Sequence, residues 1–231
     1  MLTVSDWVLI ATTAFLGAIA LSVPYLSELS KRKAFAPKLR MDFVEQPPSA
    51  RLSSWRSSVD PTLEEPVYAF HLRVSNEGKS LARQCEVLLE AVWLYDASGR
   101  PQRLEDFSPT NIRPGAFGTL FANLNPGRPP LLWNLGHISS RAHQKREEAR
   151  LFVDVPGRRG AGLRFLLDLA EYPNRQVNCF LPGTYALQVS LYAENASPVR
   201  KFLKLVWTGK WQKAESEMFR EIVIREIPRV E

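Results

Sequence analysis

The start of the chain and the remainder follow different rules of polarity. From Trp7 to Leu26 (WVLIATTAFLGAIALSVPYL) no side chain is charged. A helix of that length spans about 30 Å, the thickness of a bilayer's hydrocarbon core. Trp7 and Tyr25 stand near its ends, where aromatic side chains favour the interface. Nothing in the stretch supplies a polar face, so it predicts a transmembrane helix and not a buried globular one. From Val67 onward the dominant period is two, the mark of strands with one buried face. Tyr68, Phe70, Leu72 and Val74 share one side of a predicted strand, with His71 and Arg73 on the other. In the next strand Cys85, Val87, Leu89, Ala91, Trp93 and Tyr95 are predicted to point inward, and Glu86 and Glu90 outward.

Asp96–Arg100 reads as a turn, and residues 114–139 hold two or three apolar stretches broken by Asn125-Pro126-Gly127. Leu151, Val153 and Val155 make a further candidate strand, as do Leu163, Phe165, Leu167 and Leu169. The clearest alternation is Tyr185, Leu187, Val189, Leu191 and Ala193, after a Pro182-Gly183 turn. Another turn at Glu194–Pro198 returns the chain through Val199–Trp207, and Phe219–Ile227 is a last β-type run. Arg141–Arg150 and Gln212–Arg220 are short and predict helical turns. The sum is seven to nine strands at the spacing of a two-sheet β-sandwich. Its predicted core includes Leu72, Val87, Trp93, Tyr185 and Val189. Between helix and sandwich, residues 34–66 carry Pro37, Pro47, Pro48, Pro61 and Pro66. They read as a Pro/Ser-rich linker, with a first short strand at Met41–Val44 and Trp55 pinning the segment to the domain. The organisation expected is therefore an anchor with a basic flank at 1–33, a linker at 34–66 and a β-sandwich at 67–231.

Charge changes this picture once it is located. The net charge is +6, from 30 basic and 24 acidic residues. Residues 1–40 hold five of the bases (Lys31, Arg32, Lys33, Lys38, Arg40) and two of the acids, so half the excess sits there. The body of the domain is only mildly basic, and no specific nucleic-acid partner is expected. The segment before the apolar run, MLTVSD, has no basic residue and carries Asp6, unlike a secretory signal peptide. With the bases following the helix, the positive-inside rule places the N-terminus outside and the C-terminal domain in the cytoplasm, at the cell (inner) membrane. The basic flank sets topology and meets anionic headgroups.

The chemistry-bearing residues are few. Cys85 and Cys179 lack Cys-x-x-Cys spacing and a paired His, so no zinc site is expected. In the cytoplasm they are two thiols; in an oxidising compartment they are a candidate disulfide. His71, His137 and His143 are not spaced for a metal pair. The run Gly157-Arg-Arg-Gly-Ala-Gly162 follows Pro156 and precedes a β-like run, so it reads as a hairpin loop and not a phosphate cradle. No cofactor, metal or catalytic constellation is expected. Arg141–Arg150 reads as a solvated charge run, which Arg158, Arg159 and Arg164 extend into a modest basic patch. Trp207-Thr-Gly-Lys-Trp211 leaves a strand at a turn: its tryptophans either pack under the end of the sandwich or present an aromatic partner surface. The candidate partner surface is therefore Trp207, Lys210, Trp211, Arg158 and Arg159.

Two phrases carry a resemblance. VSNEGKSLARQCEVLL (Val74–Leu89) resembles the strand pairs of Ig-like adhesion modules, and LPGTYALQVSLYAEN (Leu181–Asn195) their penultimate strand. Tyr185 stands near the position of a tyrosine corner. No Cys lies two residues after it, so the inter-sheet disulfide of antibody domains is not implied. The whole chain also resembles a family of uncharacterised membrane-anchored proteins of bacteria and archaea, through His71–Cys85 and the tail GTY…AENA…WTGKW…EMF at Gly183–Phe219. That resemblance implies no activity. The function expected is a membrane-tethered, non-enzymatic interaction module that meets lipid through its helix and an unknown protein through its domain. The competing expectation is a periplasmic or extracellular adhesion-type domain of inverted topology.

Overall fold

The computed structural model describes residues 34–56, 62, 64–105, 107–115, 119–140, 144, 163–170 and 179–230, with Thr3, Thr12, Thr13, Phe15, Ala20, Ser22 and Ser27 before them. Several expectations lie outside the described residues. They are most of Trp7–Leu26, Lys31 to Lys33, the candidate strand Leu151–Val155, the glycine run 157–162 with Arg158 and Arg159, His143, and the side chain of Trp55. No helix among the described residues is long and apolar enough to cross a membrane.

The described chain is mainly β, in two antiparallel sheets. In order the strands are β1 (Leu39–Asp42), β2 (Ala50–Arg56), β3 (Glu64–Asn76), β4 (Ala82–Tyr95), β5 (Pro101–Arg103), β6 (Thr110–Asn111), β7 (Arg113–Pro114), β8 (Ala122–Leu124), β9 (Leu131–Ser139), β10 (Phe165–Leu167), β11 (Cys179–Phe180), β12 (Gly183–Ala193) and β13 (Ala196–Trp207). A short helix α1 (Glu215–Glu221) and β14 (Ile222–Ile227) end the chain. One sheet runs β1-β3-β9-β10-β11, with β2 beside β1 on β3 and β7 on β9. The other runs β14-β13-β12-β4-β5, with β6 and β8 also on β4. A single hydrophobic cluster joins their inner faces: Phe70, Leu72, Trp133 and Phe165 from the first sheet, Val87, Leu89, Leu187 and Leu205 from the second.

Residues 34–66, read as linker, supply β1 and β2, both paired with β3. Prolines forbid a long helix, yet edge strands on either side of a Pro47–Pro48 turn accommodate them. Met41 and Ala50 are buried, which draws both strands onto the core. Phe219, expected in the last strand, belongs to α1 instead, because Met218 is the residue that buries.

Leu72, Val87, Tyr185 and Val189 are core residues. Trp93 is not; it is half-buried. The cause is a β-bulge. Gln188 pairs with Ala91 and Val189 with Leu89, so Glu90 is an extra residue in β4. One added residue sends every later side chain to the opposite face. Cys85, Val87 and Leu89 point inward, but beyond Glu90 the inward residue is Val92. Trp93 instead lies beside Phe202 at 6.3 Å, and Tyr95 carries the Lys204 ammonium 4.8 Å from its ring centre. The expected cost of Trp93→Ala is therefore only about 1–2 kcal/mol, as for half of an aromatic burial. Leu89→Ala, at a fully buried site, is expected to cost about 2–5 kcal/mol. Urea titration of the two variants checks the order; the reverse order would refute the bulge.

The Tyr185 hydroxyl donates to the Leu181 carbonyl at 3.0 Å, closing the corner that opens β12. Two edge strands have an outward N–H taken by a carboxylate: Leu52 of β2 donates to Glu215 at 2.7 Å, and Ile224 of β14 to Glu45 at 3.4 Å. Cys85 and Cys179 are both free thiols. Burial pushes the Cys85 thiol up to about 11, which keeps it protonated and unreactive at neutral pH.

Candidate functional site

At the end of the sandwich where β13 finishes, the tryptophan turn is stitched into the fold. Trp207 is 1% exposed, and its indole N–H donates to the Leu163 carbonyl at 3.0 Å. The next residues must turn sharply. Gly209 has φ of +85°, and a Cβ there would lie 2.4 Å from the Pro182 ring. Only glycine meets both conditions. Thr208 N–H then donates to the Glu221 carbonyl at 2.9 Å, and the Gln212 amide to the Glu221 carboxylate at 3.2 Å. Trp211 sets an edge against Tyr68 at 5.2 Å, while the Tyr68 hydroxyl donates to the Lys213 carbonyl at 3.1 Å. Of the expected partner surface, then, Trp207 is inside, Trp211 is half-buried and Lys210 is exposed. Arg158 and Arg159 lie outside the described residues, but the feet of their segment are held at this end. The Gln144 amide donates to the Arg164 carbonyl at 2.7 Å, and its oxygen accepts Arg164 N–H at 2.9 Å.

A second group stands on the outer face of the first sheet. Across β3 and β9, His71 pairs with Asn134, and Ala69 with His137. His71 Nδ1 lies 2.8 Å from Asn134 Oδ1, which places its proton on Nδ1. His137 Nδ1 lies 2.9 Å from Asp168 Oδ1. A cavity of about 310 Å³ beside the first of these pairs is lined by Arg51, His71, Gly115 and Asn134. A histidine ring lining such a cavity, as His71 does, can hold or pass a proton. Among the described residues no group of three or more His, Cys, Asp or Glu side chains converges as a metal site. Sequence spacing gave His71 its outward direction but not its partners, since Asn134 arrives through a register shift in the β3–β9 pairing and Asp168 follows β10.

Burial holds the His71 ring below its ordinary value of 6.5; Arg51 pushes the same way, against the Asn134 bond and Asp168. The unfolded chain therefore takes up this proton first as pH falls, and stability is lost with it. This contribution is expected to be complete above about pH 6.5 and to be lost as pH falls from there through the lower folded value. His71→Gln should flatten that part of a melting-temperature profile between pH 7 and pH 5. An identical slope in the variant would sink the assignment.

The third group gathers at the opposite end, where β1 begins. Asn76 is 2% exposed and uses every polar position of its side chain. Its oxygen accepts Lys38 N–H at 3.1 Å and Gly78 N–H at 2.9 Å; its amide donates to the Ser80 carbonyl at 2.7 Å and to Leu124 at 2.9 Å. Residues 36–38 lie so close to Gly78 that a Cβ there would sit 2.4 Å from both the Ala36 oxygen and the Lys38 nitrogen. This is why the Asn-x-Gly phrase is needed. Arg40, expected beside the membrane, pairs with Glu77 at 2.8 Å and Asp42 at 3.6 Å, while Lys38 is exposed. A groove of about 600 Å³ is lined here by Val74, Phe121, Leu124, Pro129, Leu131 and Arg128. No family model, no curated protein and no solved structure matches the chain.

Proposed function

We propose that the chain is a membrane-tethered, non-enzymatic interaction module with an Ig-like sandwich in the cytoplasm, its N-terminus outside. The observation that carries this reading is the clamp at Asn76 and Gly78. It ties residues 36–38 to the β3–β4 turn, so the chain passes from the basic flank into the sandwich without a free linker. The described positions of the apolar stretch support the tether. Thr12, Thr13, Phe15, Ala20 and Ser22 have helical backbone and are exposed, Phe15 by 66%, as suits a helix whose partner is lipid. The Ig-like reading draws support from strand order: β1-β3-β9 against β13-β12-β4 corresponds to A-B-E against G-F-C, and the Tyr185–Leu181 bond resembles a tyrosine corner. The resemblance to membrane-anchored proteins of bacteria and archaea belongs to the same proposal.

With one end of the sandwich at the tether, the other is free to meet a protein. There Lys210 is exposed and Trp211 half-buried, next to Trp207, which bonds Leu163. Two fusions in a bacterial host test the topology. Alkaline phosphatase at the C-terminus should be inactive and a fluorescent protein there bright. An active phosphatase would favour the outward-facing, adhesion-type domain. A photo-crosslinking residue in place of Lys210 in intact membranes should capture a discrete protein adduct, while the same residue at Glu194, in the hairpin at the other end, should not. Equal labelling at both would remove this end as the partner surface.

A further inference from the structure

We infer that the N-terminal end of the sandwich is a docking face for anionic lipid headgroups, so that the domain lies against the bilayer that its own helix crosses. This rests on the tethered reading above.

Four chain segments are fused at this end. Residues 36–38 and the β3–β4 turn meet at Asn76. The loop after β8 joins them through Gly127 N–H to the Asn76 carbonyl at 3.3 Å. The β12–β13 hairpin joins through Asn195, whose amide donates to the Leu81 carbonyl at 2.9 Å and whose oxygen accepts Arg83 N–H at 3.0 Å. Their outward side chains include Phe35, Lys38, Lys79, Arg83, Phe121 and Arg128, all exposed. The acids among them are Glu77 and Glu194, and Glu77 is engaged by Arg40 at 2.8 Å. The face is therefore basic.

It also carries the aromatics that an interface takes up. The large exposed apolar side chains among the described residues are Phe15, Phe35, Leu52 and Phe121. Phe15 lies in the apolar stretch, and both Phe35 and Phe121 are on this face. Lys79 holds its ammonium 5.5 Å from the Phe35 ring centre. A cation over an aromatic ring suits the boundary between headgroups and acyl chains. A soluble acidic partner would have no use for that pair of phenylalanines beside the tether.

Reach completes the argument. From Leu26, the end of the apolar stretch, to Phe35 the path is about 14 Å if helical and at most about 32 Å if extended. Either value leaves Phe35 close to the bilayer surface. The headgroup layer itself is about 5–7 Å thick. The clamp permits no swing at residues 36–38, so this face and no other is held within reach of the lipid. Each basic side chain near an anionic leaflet strengthens attachment roughly fivefold, and four together by more than about 100-fold.

The test uses the full chain in nanodiscs of phosphatidylcholine, with or without an equal share of phosphatidylglycerol, read by amide hydrogen exchange. With phosphatidylglycerol, exchange in residues 77–84 and 121–128 should slow at least about tenfold, and molar salt should reverse it. Residues 96–100, at the far hairpin, should not change. The quadruple variant Lys38→Gln, Lys79→Gln, Arg83→Gln, Arg128→Gln should lose the effect while β12 keeps its protection. Equal exchange in both lipids, in a chain that stays in the nanodisc, overturns the inference and leaves the tether standing. Release of the chain by alkaline carbonate overturns the tether and with it the inference. The wild-type comparison decides the matter even if the quadruple variant fails to fold.

Discussion

Replacing Trp207 with alanine is expected to cost about 3–5 kcal/mol, the range for removing a fully buried large aromatic. The ring is 1% exposed, at the point where β13 of one sheet meets Leu163 ahead of β10 in the other. Two losses add. The cavity cannot collapse easily, because Gly209, Thr208 and Gln212 pin the backbone beyond it to Pro182 and Glu221. The Leu163 carbonyl also loses its buried donor, which costs about 1–3 kcal/mol within that total. Small domains are stable by only about 5–15 kcal/mol, so the variant should melt many degrees lower. Trp207→Phe should recover much of the packing but not the hydrogen bond. Trp211→Ala, at a half-buried position, should cost about 1–2 kcal/mol. Urea titrations of the three variants check the order. A Trp207→Ala variant as stable as the parent would mean that the indole is not in the core.

The second large effect is expected at Asn76. Asn76→Ala removes four hydrogen bonds at once, and all four groups left behind are backbone atoms of the clamp. About 3 kcal/mol or more should be lost, since each orphaned buried partner costs about 1–3 kcal/mol. Gly78→Ala reaches the same place by another route. Its methyl group would meet backbone on three sides: Ala36 oxygen, Lys38 nitrogen and the Pro37 Cα at 2.7 Å. Backbone does not yield as a side-chain tip does, so residues 36–38 must lift away. Both variants should become sensitive to trypsin after Lys38 and Arg40, while cleavage after Arg103, in β5 at the far hairpin, stays unchanged. Thermal melting and timed proteolysis separate local release from global unfolding. Release without a fall in melting temperature would make the clamp a hinge.

Legibility of the sequence followed the regularity of the backbone. Along β12 the predicted inward residues Tyr185, Leu187, Val189 and Leu191 are buried, with Ala186 and Ser190 buried between them and Ala193 half-buried. In β4 the same reasoning holds as far as Leu89 and then inverts at Glu90. Ala91, Val92, Trp93 and Leu94 are all apolar, so nothing in their pattern marks the extra residue. β10 is buried at three consecutive positions, so both of its faces are out of solvent. Alternation cannot announce such a strand. The sites were harder. That Trp207–Trp211 is a turn follows from its composition, but that Gly209 faces Pro182 depends on two separate turns meeting. The His137–Asp168 pair likewise joins residues 31 apart in sequence.

The carboxylates at the sheet edges limit how this domain can recognise anything. A sandwich with bare edges can lend a strand's worth of backbone to a guest peptide, which then zips onto it with little regard for side chains. Here Glu215 already occupies the free N–H of Leu52, and Glu45 that of Ile224. An incoming strand would have to evict an anion at each place before its own carbonyl could bond. Strand addition at β2 or β14 is thereby penalised, and so is edge-to-edge stacking of one copy on another through these strands. At these two edges recognition is left to side chains, whose shape and charge discriminate as generic backbone does not.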